Sequence, residues 1–312
     1  MRALLFPGQG SQSVGMGAAL SEASRAARDV FEQVDEALGQ NLARLMRDGP
    51  DDELRLTENA QPAIMANSIA VFAALTQEGG VKLAKAAQFV AGHSLGEYSA
   101  LCAAGSFDLA TTAKLLKLRG RAMQAAVPVG QGAMAALLGA DVELALRIAE
   151  AAAKGEVCAV ANDNDPGQVV ISGHRSAIDR AIEMAKEMGA KRAVPLPVSA
   201  PFHCPLMQPA AEAMRDALSY VVVERPAVPV YANVTAAPET DPDNIRALLV
   251  DQVTGMVRWR ESVAAMAEAG VDEFVELGGK VLGPMVKRTA PDVEVRSVVT
   301  IEDLEALAKE IA

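Results

Sequence analysis

The chain has 312 residues, 51% apolar, 4% aromatic and 22% charged, with a formal net charge of −11. This is globular composition, long enough for one large or two modest domains with a sizeable core. The acidic balance argues against a sequence-independent grip on nucleic acid or anionic lipid, both of which need clustered Lys and Arg.

Short apolar runs alternate with longer helical patterns. RALLF predicts a strand and PGQGSQSVGMG a glycine-rich loop, with helices over 18–39 and 61–78. AQFVAG predicts a buried strand that ends in glycine, and GHSLGEYSALCAAG then turns helical. Such alternation implies a largely parallel sheet covered on both faces. After a helix over about 109–123, the pattern changes at Val127-Pro128-Val129-Gly130. MAALLGA, DVELALRIAEAAAK, VCAVAN, QVVISG, SAIDRAIEMAKEMG and AKRAVPLPV follow in the order β-α-β-β-α-β. That order is the split βαβ, ferredoxin-like unit, with NDNDPG turning between its central strands. Asp141 is placed to cap its first helix and Gly155 to stop it. The expected division is a large domain of 1–127 and 198–312 carrying a small subdomain of 128–197. The large pattern resumes with a helix to about Tyr220 and a strand in VPVYANV. Helices near 243–254 and 260–269, strand DEFVELG, a short helix and strand VEVRSV complete it.

No apolar run approaches the ~20 residues of a membrane helix. The opening MRALLFPGQGSQ meets Pro and Gly too early for a secretory h-region. Cys102, Cys158 and Cys204 offer neither CxxC nor an even disulfide framework and read as small hydrophobes, so a reducing cytoplasm is expected. No feature calls for an obligate multimer, and a monomer is expected.

Gly92-His93-Ser94-Leu95-Gly96 is a G-x-S-x-G between a predicted strand and a predicted helix. A sharp strand-to-helix turn needs glycines beside the serine and lifts its Oγ above the sheet edge. The Leu95 amide, opening the helix, then points where an oxyanion would form. The serine needs a base, and only three histidines are present. His93 adjoins the serine and should point elsewhere, and His174 reads as a polar cap of a subdomain helix. This leaves His203, in the irregular loop Ser199-Ala200-Pro201-Phe202-His203-Cys204-Pro205.

At about 100° per residue, Leu109, Thr112, Leu116, Arg119 and Met123 fall within roughly 80° on one helix face. Lys114, Lys117 and Arg121 take the other side, as a solvated face. Arg119 on an apolar stripe is either paired with a core carboxylate or a planar fork for a carboxylate ligand; the sequence leaves both open. In Pro7-Gly8-Gln9-Gly10-Ser11-Gln12 a dinucleotide loop fails on spacing, because Ser13 stands where the third glycine belongs. A glycine-rich loop also lets backbone N–H groups approach a ligand oxygen, and Gln9 is read as the second oxyanion amide that the serine chemistry needs.

FPGQGSQ, GHSLGE, KLRGRAMQ, ANDNDPGQVVISG, SAPFH and the late GGKVL, in that order along the chain, closely resemble the malonyl-CoA:acyl carrier protein transacylase family. The resemblance implies an α/β fold, with an α/β-hydrolase-like large domain and an inserted ferredoxin-like subdomain. It implies Ser94 as acyl-accepting nucleophile, His203 as base, the amides of Gln9 and Leu95 as oxyanion hole, and Arg119 as clamp for the malonyl carboxylate. Gln252 matches a position whose backbone carbonyl orients the histidine. The implied substrates and partners are malonyl-CoA and acyl carrier protein, with no metal or redox cofactor. Gly278-Gly279-Lys280 is one residue shorter than the Gly-Pro-Gly-Lys usual in relatives. Two rivals stand beside this: a thioesterase or esterase in which water discharges the acyl-serine, and a non-catalytic scaffold that binds carrier protein. A partner that is itself acidic would need a basic patch. The candidates are Lys114/Lys117/Arg121, Lys191-Arg192 and Lys287-Arg288.

Overall fold

The computed structural model describes residues 1–311; Ala312, the last residue of the expected large domain, lies outside them. Among the described residues ten strands form two sheets. In chain order they are Arg2–Phe6 (β1), Phe89–Gly92 (β2), Gly132–Leu138 (β3), Cys158–Asp165 (β4) and Gln168–His174 (β5). Arg192–Pro195 (β6), Val230–Ala232 (β7), Ala237–Glu239 (β8), Glu273–Leu277 (β9) and Glu294–Val298 (β10) follow.

The six-stranded sheet runs β10-β9-β1-β2-β7-β8 and is parallel apart from its edge strand β8. Strand β1 shows why it lies at the centre. Leu4 and Phe6 belong to the core shared with the helices Arg25–Leu38, Thr57–Ala73 and Leu109–Ala126, while Ala3 and Leu5 belong to the separate core of Trp259, Val263 and Met266. A strand buried on both faces reads as an unbroken apolar run, as RALLF does.

The four-stranded sheet is antiparallel, in the order β4-β5-β3-β6. The helices Val142–Ala153 and Arg175–Ala185 cover it with their own core of Leu144, Ile148, Ile178 and Ala181. Asp141 Oδ1 accepts from the Leu144 amide at 2.8 Å and so caps the first helix. Strand β4 is pinned to the other sheet's helices. Val257 bridges to Asn162, and the buried carboxylates of Asp163 and Asp165 pair with Arg260 and Arg288, both at 2.8 Å.

Several expectations are corrected. The helix predicted over 18–39 is two, Ala18–Ala23 and Arg25–Leu38. Ser24 is extended and its side chain accepts from the Ala27 amide, starting a new helix. The helix expected from 61 begins at Thr57 and holds Pro62 inside it; its last turn, Ala74–Glu78, is a π-helix. Short helices at Leu42–Asp48 and Asp51–Arg55, and the terminal helix Ile301–Ile311, were not predicted. Asn162 to Asp165 lie in β4, so the turn is only Pro166-Gly167. His174 precedes its helix without capping it; its Nδ1 instead accepts from the Val157 amide at 2.9 Å. Cys102 and Cys158 are only partly buried, whereas Cys204 is fully so.

The solvated stripe is also corrected. Lys117 is buried, donating to Gln40 Oε1 and Asn59 Oδ1 at 2.8 Å, and it shares Glu58 with Arg121. Arg288 is held by Asp165, and Lys287 donates to the carbonyls of Pro291 and Val293. Of these candidate basic residues only Lys117 is buried; Lys114, Arg121, Lys191, Arg192, Lys287 and Arg288 are exposed. No helix among the described residues is long and apolar enough to cross a membrane.

Candidate active site

The turn from β2 into the helix Gly96–Ala103 is closed by close backbone contact. A Cβ on Gly92 would lie 1.9 Å from the Gly96 carbonyl carbon, and one on Gly96 would lie 2.2 Å from the Phe6 oxygen. Only glycine fits either place. Between them Ser94 is forced to φ 54, the left-handed strain expected of a nucleophile elbow.

Ser94 Oγ lies 2.7 Å from His203 Nε2, and His203 Nδ1 lies 2.9 Å from the Gln252 carbonyl oxygen. A carbonyl only accepts, so Nδ1 carries the proton and the bare Nε2 faces the serine hydroxyl. Burial, then the charge of Arg119, pushes the His203 pKa down to about 3. An imidazole that stays neutral so far into acid is a base in its working form. We therefore expect inactivation of Ser94 by a neutral organophosphate to show no acid limb near pH 6.5 and to decline only at markedly lower pH. A half-maximal rate near pH 6.5 would contradict that environment. The same sign holds for stability. Between the depressed folded pKa and the ordinary unfolded one, the unfolded chain binds more protons, so this histidine's contribution falls as pH drops below about 6.5.

Arg119 is 1% exposed. It comes close to the serine because its helix crosses Thr57–Ala73 at Gly120, where a Cβ would lie 2.6 Å from the backbone of Thr57 and Glu58. The guanidinium donates to Gln61 Oε1 at 2.8 Å, Gln252 Oε1 at 2.9 Å and Ser94 Oγ at 3.1 Å. Its Nε is buried without a partner, and Tyr98 lies beneath it with the ring centroid 5.7 Å away. All these acceptors are neutral, and among the described residues no carboxylate pairs with it. Of the two readings left open by the sequence, the structural ion pair is absent.

The Leu95 amide sits at the mouth of the helix Gly96–Ala103, and neither it nor the Gln9 amide donates to another protein group among the described residues. Gln9 and Leu95 line the same cavity of about 350 Å³ as Ser94, Arg119 and His203. The small sheet closes its other side through Met134, Asn162, Asn164 and Val170. The six residues singled out from sequence thus meet around one cleft, except that Gln252 reaches it through hydrogen bonds rather than by lining it. His93 points away from the serine, to Asn164 Oδ1 at 2.8 Å.

Sequence reasoning missed Gln61, Glu97 and Asn233. Asn233 Oδ1 accepts from the Ser94 amide and its Nδ2 donates to the Gly92 carbonyl, both at 2.7 Å. Glu97 is 3% exposed, and burial raises its pKa to about 7. The available signal was a polar residue where the pattern is apolar: Gln61 in a helix buried nearly all round, and Asn233 just past a buried strand.

An elbow serine hydrogen-bonded to an unprotonated imidazole, with free amides beside it and a buried guanidinium above, is equipped for acyl transfer. Residues 3–300 match the acyl transferase domain family, and the chain belongs to it. It is 46% identical, over 92% of both chains, to the malonyl CoA-acyl carrier protein transacylase of Escherichia coli K12. The crystal structure of the acyl-carrier-protein S-malonyltransferase of Bartonella henselae superimposes with a TM-score of 0.97 at 52% identity, covering 99% of each chain. A malonyl-transacylase solved in complex with its type II polyketide acyl-carrier protein matches at a TM-score of 0.95 and 40% identity, again over 99% of each chain.

Proposed function

We propose that this protein moves the malonyl group of malonyl-CoA to the phosphopantetheine thiol of an acyl carrier protein, through a malonyl ester on Ser94. The observation that carries the reading is the buried Arg119 guanidinium, 3.1 Å from the nucleophile and without a carboxylate of its own. A planar cation in that place matches an acyl group that ends in a carboxylate.

Ser94 Oγ attacks the thioester carbon as His203 Nε2 takes its proton, and the Gln9 and Leu95 amides hold the oxyanion. The carbon–sulfur bond breaks, the imidazolium returns the proton to the coenzyme A sulfur, and malonyl-Ser94 remains. The carrier-protein thiol then gives its proton to His203, attacks the ester, and leaves as malonyl thioester while Ser94 regains its proton. Gln252 serves through its carbonyl, orienting the imidazole where a triad would place an acid. Nucleophile, base and oxyanion donors together supply every group the two acyl transfers use, which supports a mechanism without metal or redox cofactor; a monomer is part of the same proposal. Strand order supports an α/β-hydrolase-like body of 1–127 and 198–312 with a ferredoxin-like insert of 128–197. Three unpaired cysteines fit a reducing cytoplasm.

Trapping with radiolabelled malonyl-CoA tests the reading. Label on Ser94 that carrier protein discharges supports transfer; discharge by water indicates a hydrolase, and absence of label a scaffold. Phe202 is buried beside His203 and lines the cleft; on this reading its ring takes the room an α-methyl group would need. The enzyme should prefer malonyl to methylmalonyl donors by ~1–3 kcal/mol, the range one methyl group commands, and Phe202→Ser should narrow that gap. Equal kcat/KM for the two donors in the unmodified enzyme would refute this.

A further inference from the structure

Among the described residues no carboxylate touches His203, yet a buried one lies just behind the site. Glu97 is on the first turn of the helix that Ser94 introduces, and its Oε2 accepts two hydrogen bonds: from Gln252 Nε2 at 2.7 Å and from the Asn233 amide at 3.0 Å. Each donor holds part of the catalytic group. Asn233 ties the strained elbow by accepting from the Ser94 amide and donating to the Gly92 carbonyl. Gln252 presents its backbone carbonyl to His203 Nδ1 and its Oε1 to Arg119.

The second proton of Gln252 Nε2 goes to the Ser94 carbonyl at 3.0 Å. Asn233 Oδ1 lies 3.3 Å from the same nitrogen. With acceptors on the nitrogen and a guanidinium on the oxygen, the amide has one satisfied orientation, and Glu97 supplies the shortest of the contacts to the nitrogen that select it. Gln252 is fully buried, so solvent does not reach these contacts.

We infer that Glu97 is the positioning residue of this site, whose Oε2 ties Gln252 and Asn233 together and through them sets His203, Arg119 and the Ser94 elbow in register. It stands one residue further from the imidazole than a triad acid does. Both donors meet Oε2, so its acceptor role is the same whether or not the other oxygen carries a proton. A neutral amide that offers one carbonyl oxygen should therefore replace it, while an apolar chain of the same length should not.

The inference rests on the acyl-serine reading above, and the test separates the two. Ser94 reactivity is measured with diisopropyl fluorophosphate, which has no carboxylate for Arg119, and with malonyl-CoA in single turnover. Thermal midpoints are recorded for each variant. Glu97→Met should lower the organophosphate rate and the maximal acylation rate ~10–100-fold in a folded protein, with a smaller change in the half-saturating malonyl-CoA concentration. Glu97→Gln should stay within about threefold of the unmodified enzyme. Folded Glu97→Met with unchanged Ser94 reactivity overturns the inference, as does Glu97→Gln damaged as severely as Glu97→Met. Should Glu97→Met not fold, Glu97→Asp, which withdraws the same oxygens by one methylene, takes its place with the same two outcomes. Retention of both labels by Ser94→Ala would instead overturn the acyl-serine reading itself.

Discussion

Ser94→Ala should abolish covalent labelling by malonyl-CoA and lower transfer to carrier protein by roughly 10⁴–10⁶-fold, the scale on which a nucleophile acting as a unit with its base is lost. The substitution deletes one atom, Oγ, and with it the contacts to His203 and Arg119. The elbow that holds position 94 at φ 54 is built from other groups: the close contact of Gly92 with Gly96 and the Asn233 clamp on the Ser94 amide. Alanine has the same Cβ and meets the same backbone strain, so the fold and the thermal midpoint should change little. His203 would remain neutral with nothing to deprotonate. Intact-protein mass spectrometry after incubation with malonyl-CoA checks this, and a variant that still acquires the acyl group at a normal rate would exclude Ser94 as its carrier.

Arg119→Ala should reduce kcat/KM for malonyl-CoA ~10–100-fold or more, with a smaller loss, or a gain, for acetyl-CoA. A charge-assisted hydrogen bond contributes ~1.5–3 kcal/mol, and a bidentate fork to a carboxylate makes two of them. The guanidinium is fully buried and its present acceptors are the neutral oxygens of Gln61, Gln252 and Ser94. Burial lowers its pKa from the ordinary value, as expected of a cation awaiting a counter-charge. The carboxylate of a malonyl group would supply that charge; an acetyl group would not. Removing the side chain also strands the Gln61 and Gln252 oxygens, at ~1–3 kcal/mol for each acceptor left unpaired, a cost common to both donors that offsets any gain for acetyl-CoA. The ratio between donors is therefore the readout. Equal losses for malonyl and acetyl would assign Arg119 to holding the fold. Arg119→Lys should recover little, because an ammonium on a flexible stem cannot reproduce the planar fork.

What the chain reveals without its fold is what local geometry dictates. G-x-S-x-G after an apolar strand is a local backbone instruction, since the glycines at 92 and 96 are required by atoms a few residues away or in the adjoining strand. The β-α-β-β-α-β order between 128 and 197 follows from the 2.0 and 3.6 periods of its apolar residues, and the strands appear within a few residues of expectation. With three histidines in the chain, His203 could be reached by elimination. Arg119 was marked by its place on an apolar stripe, but only the packed structure shows that the groups it hydrogen-bonds are the neutral oxygens of Gln61, Gln252 and Ser94.

The tertiary structure alone decided what depends on partners far apart in sequence. Lys117 belongs by angle to a charged face, yet Gln40 and Asn59 from other helices bury it, because a periodicity describes one helix and not what packs against it. Ser24 breaks an amphipathic stretch that has no apolar gap, since its hydroxyl caps the next turn. Glu97, Asn233 and Gln252 are separated by up to 155 positions between hydrogen-bonded partners, so no window of sequence contains their relation. The strand, the elbow and the nucleophile are set by neighbours along the chain; the orientation of the base and the clamp is set by hydrogen bonds that exist only once both faces of the sheet are covered.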